Sequence, residues 1–185
     1  MIIVSAPSGA GKSTIVRHLL QAGLDLEFSI SATSRPIRAG EVDGREYHFI
    51  GTELFRKKIE AGELLEWQEV YPGSYYGTLV SEVERIHRNH HIPIFDVDVV
   101  GGLNIKKMFG ENALALFIQP PSVEILEKRL RDRATDTEES LQKRLEKVRW
   151  ELGFSPQFDQ ILINDQLDIA LKEAEKLVKN FLLAE

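Results

Sequence analysis

The fold of this chain is decided by residues 5–14, which read Ser5-Ala6-Pro7-Ser8-Gly9-Ala10-Gly11-Lys12-Ser13-Thr14. The stretch follows the short β-branched run Ile2-Ile3-Val4, which predicts a buried parallel strand. Apolar residues spaced as one face of a helix come directly after it: Ile15, Val16, Leu19 and Leu20. A strand, a glycine-rich turn, a Lys-Ser pair and a helix in this order are typical of a phosphate-binding P-loop.

The composition of this loop suits a nucleoside triphosphate. Glycines let successive backbone N–H groups converge on phosphate oxygens, and the helix that follows adds the positive end of its dipole. We expect Lys12 to reach the β- and γ-phosphates as a point charge, and the Ser13 hydroxyl to bind Mg²⁺. Ala6 stands where the full pattern has glycine, and its methyl group fits if the residue keeps a negative φ.

Length, composition and charge bound the class of protein. The 185 residues suffice for one domain with a substantial core, and the apolar share of 43% and charged share of 28% are those of a soluble globular protein. The chain has no cysteine, which excludes disulfides and thiolate catalysis. A net charge of −6 argues against general binding to nucleic acid or acidic membranes. Because strand 1 begins at the N-terminus without a signal-type segment, we expect a cytoplasmic protein.

Strand and helix patterns alternate along most of the chain. Three further apolar runs predict buried parallel strands, at residues 92–98, 113–118 and 160–164. Helical patterns begin near Leu79, near Val123 with Ser122 as N-cap, near Thr135 and near Leu167. This alternation predicts an α/β fold, a P-loop NTPase-like parallel sheet flanked by helices. Lys128, Arg131 and Lys147 are expected to pair with acids on solvated helix faces: Glu124, Glu127 and Glu151.

Residues 28–78 break this rhythm. They contain short strand patterns at 28–33, 47–50, 64–70 and 74–78, with a short helix at 52–61. The segment predicts a small mixed α+β insert that binds a second substrate. Its loop carries Arg35 and Arg38, forked and permanently charged groups that suit the phosphate of a nucleoside monophosphate.

Several stretches, in this order and spacing, make the chain similar to the guanylate kinase family over essentially its whole length. Besides the P-loop they are Thr33-Ser34-Arg35-Pro36-Ile37-Arg38-Ala39-Gly40-Glu41, Gly44-Arg45-Glu46-Tyr47-His48-Phe49, residues 55–67, Tyr75-Tyr76-Gly77-Thr78, Asp96-Val97-Asp98, and residues 135–140 with Lys143-Arg144-Leu145. The resemblance implies Mg²⁺-dependent transfer of the γ-phosphoryl group of ATP to GMP, which gives ADP and GDP. It also implies one domain over 1–185, with a core of 1–27, 79–121 and 154–185, a GMP-binding insert of 28–78 and a lid of about 122–153.

The resemblance and the chemistry of the side chains assign the GMP site. Guanine presents two donors, N1–H and the N2 amine, and one carboxylate accepts both, whereas adenine would leave a buried carboxylate unpaired. Glu66 is the matching acid. The residues expected to bind GMP are Ser31, Arg35, Arg38, Tyr47, Glu66, Tyr76, Thr78 and Asp98.

The ATP site, the metal site and the catalytic cations follow from the same resemblance. ATP is expected to contact Ala6, Pro7, Ser8, Gly9, Ala10, Gly11, Lys12, Ser13, Thr14, Arg133 and Asn164. Mg²⁺ is assigned to Ser13 and Asp96, and the cations that stabilise the transferred phosphoryl group are Lys12, Arg38, Arg133 and Arg144. After Asp96 the family usually has Gln-Gly where this chain has Val100-Gly101, which removes any contact of the Gln side chain, although backbone contacts could remain.

Two other functions stay open at the level of the sequence. One is a catalytically silent guanylate kinase-like module that binds proteins, against which the intact Lys12 and Ser13 argue. The other is a kinase for another nucleoside monophosphate or a sugar phosphate, against which Arg35 and Glu66 argue. We expect ATP and GMP, and also dGMP, as partners, with no nucleic acid and no membrane. The sequence does not decide between a monomer and a homo-oligomer.

Overall fold

The computed structural model describes residues 1–131 and 138–184, except for the side chain of Tyr71. These residues form nine strands, β1 (Ile2–Ser5), β2 (Leu26–Phe28), β3 (Ala32–Thr33), β4 (His48–Phe49), β5 (Leu64–Tyr71), β6 (Ser74–Leu79), β7 (Ile92–Asp96), β8 (Leu114–Gln119) and β9 (Gln160–Ile163). They also form seven α-helices, α1 (Lys12–Gln21), α2 (Gly51–Glu60), α3 (Val80–Arg88), α4 (Val99–Phe109), α5 (Val123–Arg131), α6 (Glu138–Leu152) and α7 (Leu167–Leu183). The chain divides into two compact units, residues 1–24 with 96–185 and residues 25–95.

The first unit carries the P-loop on parallel strands. β1 pairs with β8, where Val4 lies opposite Leu116, and β8 pairs with β9, where Ile118 lies opposite Leu162. All four residues of β1 are buried, as expected for a parallel strand that is covered on both faces. The run Ile2-Ile3-Val4 is therefore apolar throughout rather than alternating.

Two helices of the first unit form a small apolar core of their own. Leucines of α5 pack against leucines and a valine of α6; the cluster consists of Leu126, Leu130, Leu141, Leu145 and Val148. The α5 N-terminus is capped as predicted, because the Ser122 hydroxyl accepts a hydrogen bond of 3.2 Å from the Ile125 N–H. The start of α6 near Thr135 that the sequence predicts lies outside the described residues.

The second unit contains a small mixed sheet in the strand order β4-β3-β6-β5. β3 runs parallel to β4 and antiparallel to β6, and β6 forms an antiparallel pair with β5. The core beneath this sheet consists of Ala32, Phe55, Tyr75 and Leu79. β2 and β7 form a parallel pair that does not belong to this small sheet, and in this pair Phe28 lies opposite Ile94.

The predicted α/β class is confirmed, with differences in three elements. The run predicted as one strand at 28–33 is divided between β2 and β3, which belong to different sheets. The strand predicted to end at Asp98 ends at Asp96, because Asp98 caps the helix that follows. That helix, α4, is absent from the prediction, since Gly101 and Gly102 in its first turns are poor helix formers.

Within the described part of the chain, no helix is both long enough and apolar enough to cross a bilayer.

Candidate active site

The P-loop takes its shape from glycines with left-handed backbone. Gly9 has φ 91° and Gly11 has φ 96°, and Gly11 caps the N-terminus of α1. A side chain at Gly11 is excluded by space as well, because a Cβ there would lie 2.3 Å from Asn164 Nδ2. Among the described residues the non-glycine positions with positive φ are Asp25 and His90. Ala6 therefore meets the backbone condition under which its methyl group fits.

A cavity of about 370 Å³ opens over this loop in the first unit. The N-terminus of α1 contributes to its wall, so unpaired N–H groups and the positive end of the helix dipole favour an anion there. Besides the loop and this helix, one residue after β7 and one residue of α6 complete the wall. The cavity is lined by Ala6, Pro7, Ser8, Gly9, Gly11, Lys12, Ser13, Thr14, Asp98 and Glu151.

Lys12 is held at the carboxyl end of β7. Its ammonium group forms an ion pair with the Asp96 carboxylate and donates a hydrogen bond of 3.2 Å to the Val97 carbonyl oxygen. The pair has two consequences. It holds the ammonium group of Lys12, which lines the cavity, at the strand end, and it places the acid that the sequence assigns to Mg²⁺ beside the lysine that the sequence assigns to phosphate. Ser13, the other assigned ligand, lines the same cavity.

Asn164 braces the P-loop from β9. Its side chain is buried, and Nδ2 donates a hydrogen bond of 2.8 Å to the Ala10 carbonyl oxygen. Arg129 in turn donates a hydrogen bond of 3.1 Å to the Asn164 carbonyl oxygen. The predicted ATP residue Asn164 thus reaches the loop, through a contact to its backbone that the sequence does not reveal.

α6 brings two polar side chains to the P-loop. Arg144 Nη2 lies 3.4 Å from the Ser8 hydroxyl oxygen, so this predicted catalytic cation does reach the loop. Arg133 lies outside the described residues. Glu151 lines the cavity and is only 4% exposed. Burial in the protein raises the pKa of its carboxyl group, and the negative charge of Asp98 acts in the same direction.

Two of the predicted ion pairs form, but only one of them lies on a solvated helix face. Arg131 and Glu127 form an ion pair of 2.9 Å on the surface of α5. Lys147 Nζ lies 3.9 Å from a Glu151 oxygen, but Glu151 is buried rather than solvated. The i,i+4 spacing indicates proximity along the helix and says nothing about which side the neighbouring P-loop covers.

Asp98 follows β7 and caps α4. One of its carboxylate oxygens accepts a hydrogen bond of 2.8 Å from the Gly101 N–H, and its backbone carbonyl accepts one of 3.1 Å from the Ser5 hydroxyl. The sequence assigns Asp98 to GMP, and the structure places it in the lining of the P-loop cavity.

In the second unit, Arg35 is held by a carboxylate and an aromatic cluster. Two of its nitrogens donate hydrogen bonds of 2.7 and 2.6 Å to the two Glu41 oxygens, and Nε donates one of 3.1 Å to the Tyr76 hydroxyl. Its guanidinium carbon lies 5.2 Å from the ring centre of Tyr47 and 5.2 Å from that of Phe49. The Arg35 guanidinium holds the pKa of the Glu41 carboxyl well below its usual range.

Glu41 has no role in the sequence-based assignment. The same carboxylate accepts a hydrogen bond of 2.8 Å from the Arg38 N–H, so it fixes the loop that carries both arginines. The side chain of Arg38 itself is exposed. A carboxylate that binds Arg35 in this forked manner occupies the donors that would bind a phosphate.

Glu66 lies on β5 opposite Thr78 on β6. It is 8% exposed, and one of its oxygens accepts a hydrogen bond of 2.7 Å from the Thr78 hydroxyl. Tyr76 is two residues from Thr78 on the same strand, and its ring lies edge-on to Tyr47 with 5.6 Å between the ring centres. Ser31 borders this group through its carbonyl, which accepts a hydrogen bond of 2.9 Å from the His48 N–H. The small sheet therefore assembles most of the residues predicted to bind GMP.

A P-loop that follows the first of several parallel strands, with a lysine paired to an acid at a strand end, is the arrangement of the P-loop nucleoside triphosphate-binding proteins. The family model described as guanylate kinase matches residues 1–181. The chain is 52% identical to a guanylate kinase of Bacteroides fragilis, over 98% of this chain and 89% of the relative, and 50% identical to one of Porphyromonas gingivalis, over 98% and 97%. A crystal structure of guanylate kinase from Anaplasma phagocytophilum superposes with a TM-score of 0.77 at 25% identity, covering 97% of this chain and 84% of that one. The chain belongs to the guanylate kinase family.

Proposed function

We propose that this member of the guanylate kinase family binds ATP through its P-loop and GMP through the small mixed sheet. Membership of the family gives the reaction: the γ-phosphoryl group of ATP passes to GMP, and ADP and GDP leave. The observation that carries the assignment of the acceptor is the buried Glu66 carboxylate, 2.7 Å from the Thr78 hydroxyl, on the sheet that also carries Tyr76.

On the donor side of the reaction, the groups proposed to bind ATP are partial and full positive charges that the folded P-loop already holds in place. In this proposal the backbone N–H groups of Gly9, Gly11, Lys12 and Ser13, at the N-terminus of α1, hold the β- and γ-phosphates. Lys12 exchanges part of its ion pair with Asp96 for a phosphate oxygen. Arg133 and Asn164 complete the ATP site, and Asn164 acts by holding the loop through Ala10. Lys12, Arg38, Arg133 and Arg144 stabilise the negative charge that gathers on the transferred group.

We assign Mg²⁺ to Ser13 and Asp96. A hydroxyl and a carboxylate are oxygen donors of the type that this ion prefers. The described residues contain no group of three or more His, Cys, Asp or Glu that could hold a metal by itself, which suits an ion that is also bound by substrate phosphates and water. When bound, Mg²⁺ neutralises negative charge on the phosphates and so favours attack at the γ-phosphorus.

The acceptor side requires recognition of both ends of GMP. The Glu66 carboxylate accepts the two guanine donors while Ser31 and Thr78 supply hydroxyl groups beside the base. Arg35, Arg38, Tyr47 and Tyr76 bind the phosphate, and Asp98 is assigned to GMP as well. The acceptor phosphate must compete with Glu41 for the Arg35 guanidinium, so Glu41 keeps this cation oriented until GMP arrives.

The division of the chain follows from these roles. We propose a single domain over residues 1–185, in which 1–27, 79–121 and 154–185 form the core, 28–78 the GMP-binding insert and about 122–153 the lid. We also propose that dGMP serves as a second acceptor beside GMP. We propose further that the protein acts in the cytoplasm, which the absence of cysteine suits. A net charge of −6 supports small-molecule partners rather than nucleic acid.

An assay of ADP release with ATP and one of GMP, dGMP, AMP or UMP tests the proposal. We expect turnover with GMP and dGMP and little with AMP or UMP, because adenine and uracil cannot satisfy a buried carboxylate with two donors in the guanine arrangement. Turnover with AMP equal to that with GMP would refute the role of Glu66. Turnover with none of the four would favour the protein-binding module.

A further inference from the structure

Glu151 is a buried acid in the wall of a cavity built for a polyanion. It lies in the last turn of α6, 4% exposed, and lines the P-loop cavity together with Ser8 and Lys12. Its Oε2 atom is buried and has no hydrogen-bond partner among the residues that the structure describes. Buried polar atoms of native proteins are almost always paired, so an unpaired oxygen in a ligand cavity indicates a partner that the ligand supplies.

Among the described residues, the ion pair of this carboxyl group with Lys147 is a long one. Lys147 Nζ lies 3.9 Å from the nearer Glu151 oxygen, beyond hydrogen-bond distance, and Lys12 is already paired with Asp96. Among the described residues, the charged groups that act on Glu151 are Lys147 on α6, Lys12 on α1 and Asp98 after β7. Arg144 on α6 contacts Ser8, and Asp96 is paired with Lys12. An ionised Glu151 would therefore repel the negatively charged triphosphate at a position where little water screens the two charges.

The surroundings of Glu151 already shift its titration toward the neutral acid without making that form complete. Burial is the largest cause that raises the pKa of Glu151, and Asp98 adds to it, while Lys147, the Ser8 amide and Lys12 act in the opposite direction. A bound triphosphate brings several further negative charges close to the carboxyl group. Like charge disfavours the ionised form, so the nucleotide must raise the same pKa further.

We propose that Glu151 binds the polyphosphate of ATP as a neutral acid, taking up one proton from solvent as the nucleotide enters and donating its O–H to a phosphate oxygen. The unpaired Oε2 carries that proton. This role rests on the proposed binding of ATP in the P-loop cavity. It makes Glu151 a nucleotide-binding residue, and it couples ATP affinity to pH.

The test is calorimetric titration of the full-length protein with ATP in the absence of GMP, in buffers of different ionisation enthalpy. The dependence of the heat on the buffer gives the number of protons taken up per ATP. Wild type is compared with Glu151→Gln, a neutral isostere, and with Glu146→Gln, which removes an exposed acid from the same helix. Protonation of ATP itself contributes equally to all three and cancels in the comparison.

We expect wild type and Glu146→Gln to take up more protons than Glu151→Gln, by at least about half a proton per ATP at the pH of greatest difference. ATP affinity of wild type should fall relative to Glu151→Gln as the pH rises, by up to about tenfold per pH unit. Equal proton uptake by all three proteins would overturn the proposal. Wild type that binds no ATP at all would instead overturn the assignment of the P-loop.

A second arm distinguishes a neutral acid from a carboxylate that accepts hydrogen bonds from hydrated Mg²⁺. The titrations are repeated without metal, where we expect the difference in proton uptake to persist. A loss of ATP affinity in Glu151→Gln that requires Mg²⁺ would overturn the proposal. Should Glu151→Gln fail to fold, ¹³C NMR of the side-chain carboxyl groups of wild type, with and without ATP, reports the protonation of Glu151 directly; an unchanged Glu151 signal would contradict us.

Discussion

At the scale of single residues, the proposal assigns the selectivity for guanine to Glu66. Glu66→Gln keeps the shape of the side chain but offers one acceptor, so one guanine donor is left unpaired. We expect the kcat/KM for GMP to fall by about 10²-fold, with most of the loss in KM. Steady-state kinetics with GMP measures this effect. The matched control is Glu63→Gln, an exposed acid just before β5, and unchanged GMP selectivity in Glu66→Gln would show that the guanine contacts lie elsewhere.

The proposal places Lys12 in the donor site alone. Lys12→Ala removes the cation that reaches the β- and γ-phosphates, so we expect kcat to fall by at least about 10³-fold while the Kd of GMP changes little. Turnover assays and equilibrium binding of GMP separate the two quantities. Lys143→Ala, at an exposed position of α6, serves as control. A parallel loss of GMP affinity would contradict the separation of the two sites.

Glu151 also links the stability of the protein to pH. Its pKa is raised above the usual 4.5 by burial, so the folded state holds the proton more tightly than the unfolded state. This contribution to stability is present at low pH and is lost as the pH rises through the folded-state pKa. We expect Glu151→Gln to unfold at a higher temperature than wild type at about pH 8, with a smaller difference at about pH 5. A constant difference over this range, measured by thermal unfolding beside Glu146→Gln, would show that Glu151 is ionised in both states.

Residue patterns predict short-range motifs well, but they predict the burial of single side chains poorly. The P-loop can be predicted from the sequence because all of its groups lie within ten consecutive residues and its geometry is set by that local spacing. The burial of Glu151 cannot be predicted from the sequence, because the i,i+4 spacing with Lys147 is the same on a solvated helix and on a helix that a loop covers. The sequence does not predict the contact between Glu41 and Arg35 for a related reason. The two side chains meet only after the turn between them has folded.

At the scale of elements, α4 is a helix that residue helix propensities do not predict, and its glycines allow it to pack closely on β1. A Cβ on Gly102 would lie 2.6 Å from the Ser5 hydroxyl and 3.2 Å from a methyl group of Ile3. Gly102→Ala gains helix propensity but forces α4 away from β1, or turns the Ser5 hydroxyl away from the Asp98 carbonyl oxygen. We expect a net loss of about 1–2 kcal/mol in the free energy of unfolding. Denaturant unfolding checks this value against Asn104→Ala, an exposed position on the same helix; a gain in stability would mean that α4 does not pack this closely.

The strands show where sequence periodicity fails. The alternating run at 28–33 has one period and predicts one strand. The structure divides it, because Phe28 pairs with Ile94 in the parallel pair of β2 and β7, whereas Ala32 pairs with Gly77 in the small sheet. Which sheet a residue joins depends on partners some 45 to 66 positions away, and periodicity holds no information about them.

At the scale of the whole molecule, we propose that two sets of residues share the chemistry. One set, around the P-loop in the first unit, would hold ATP by main-chain amides and Lys12. The other set, on the small sheet of the second unit, would recognise GMP by Glu66 and Arg35. The sequence predicts both sets because their motifs are short and ordered along the chain, and the structure adds the contacts that fix them.

The most direct test of this division is a crystal structure of the protein with GMP and ADP. We expect the guanine to lie against Glu66 and Thr78, the GMP phosphate to replace Glu41 on Arg35, and the ADP phosphates to lie on the amides of the P-loop. GMP bound away from Glu66 and Arg35, with both facing solvent or another subunit, would contradict the account.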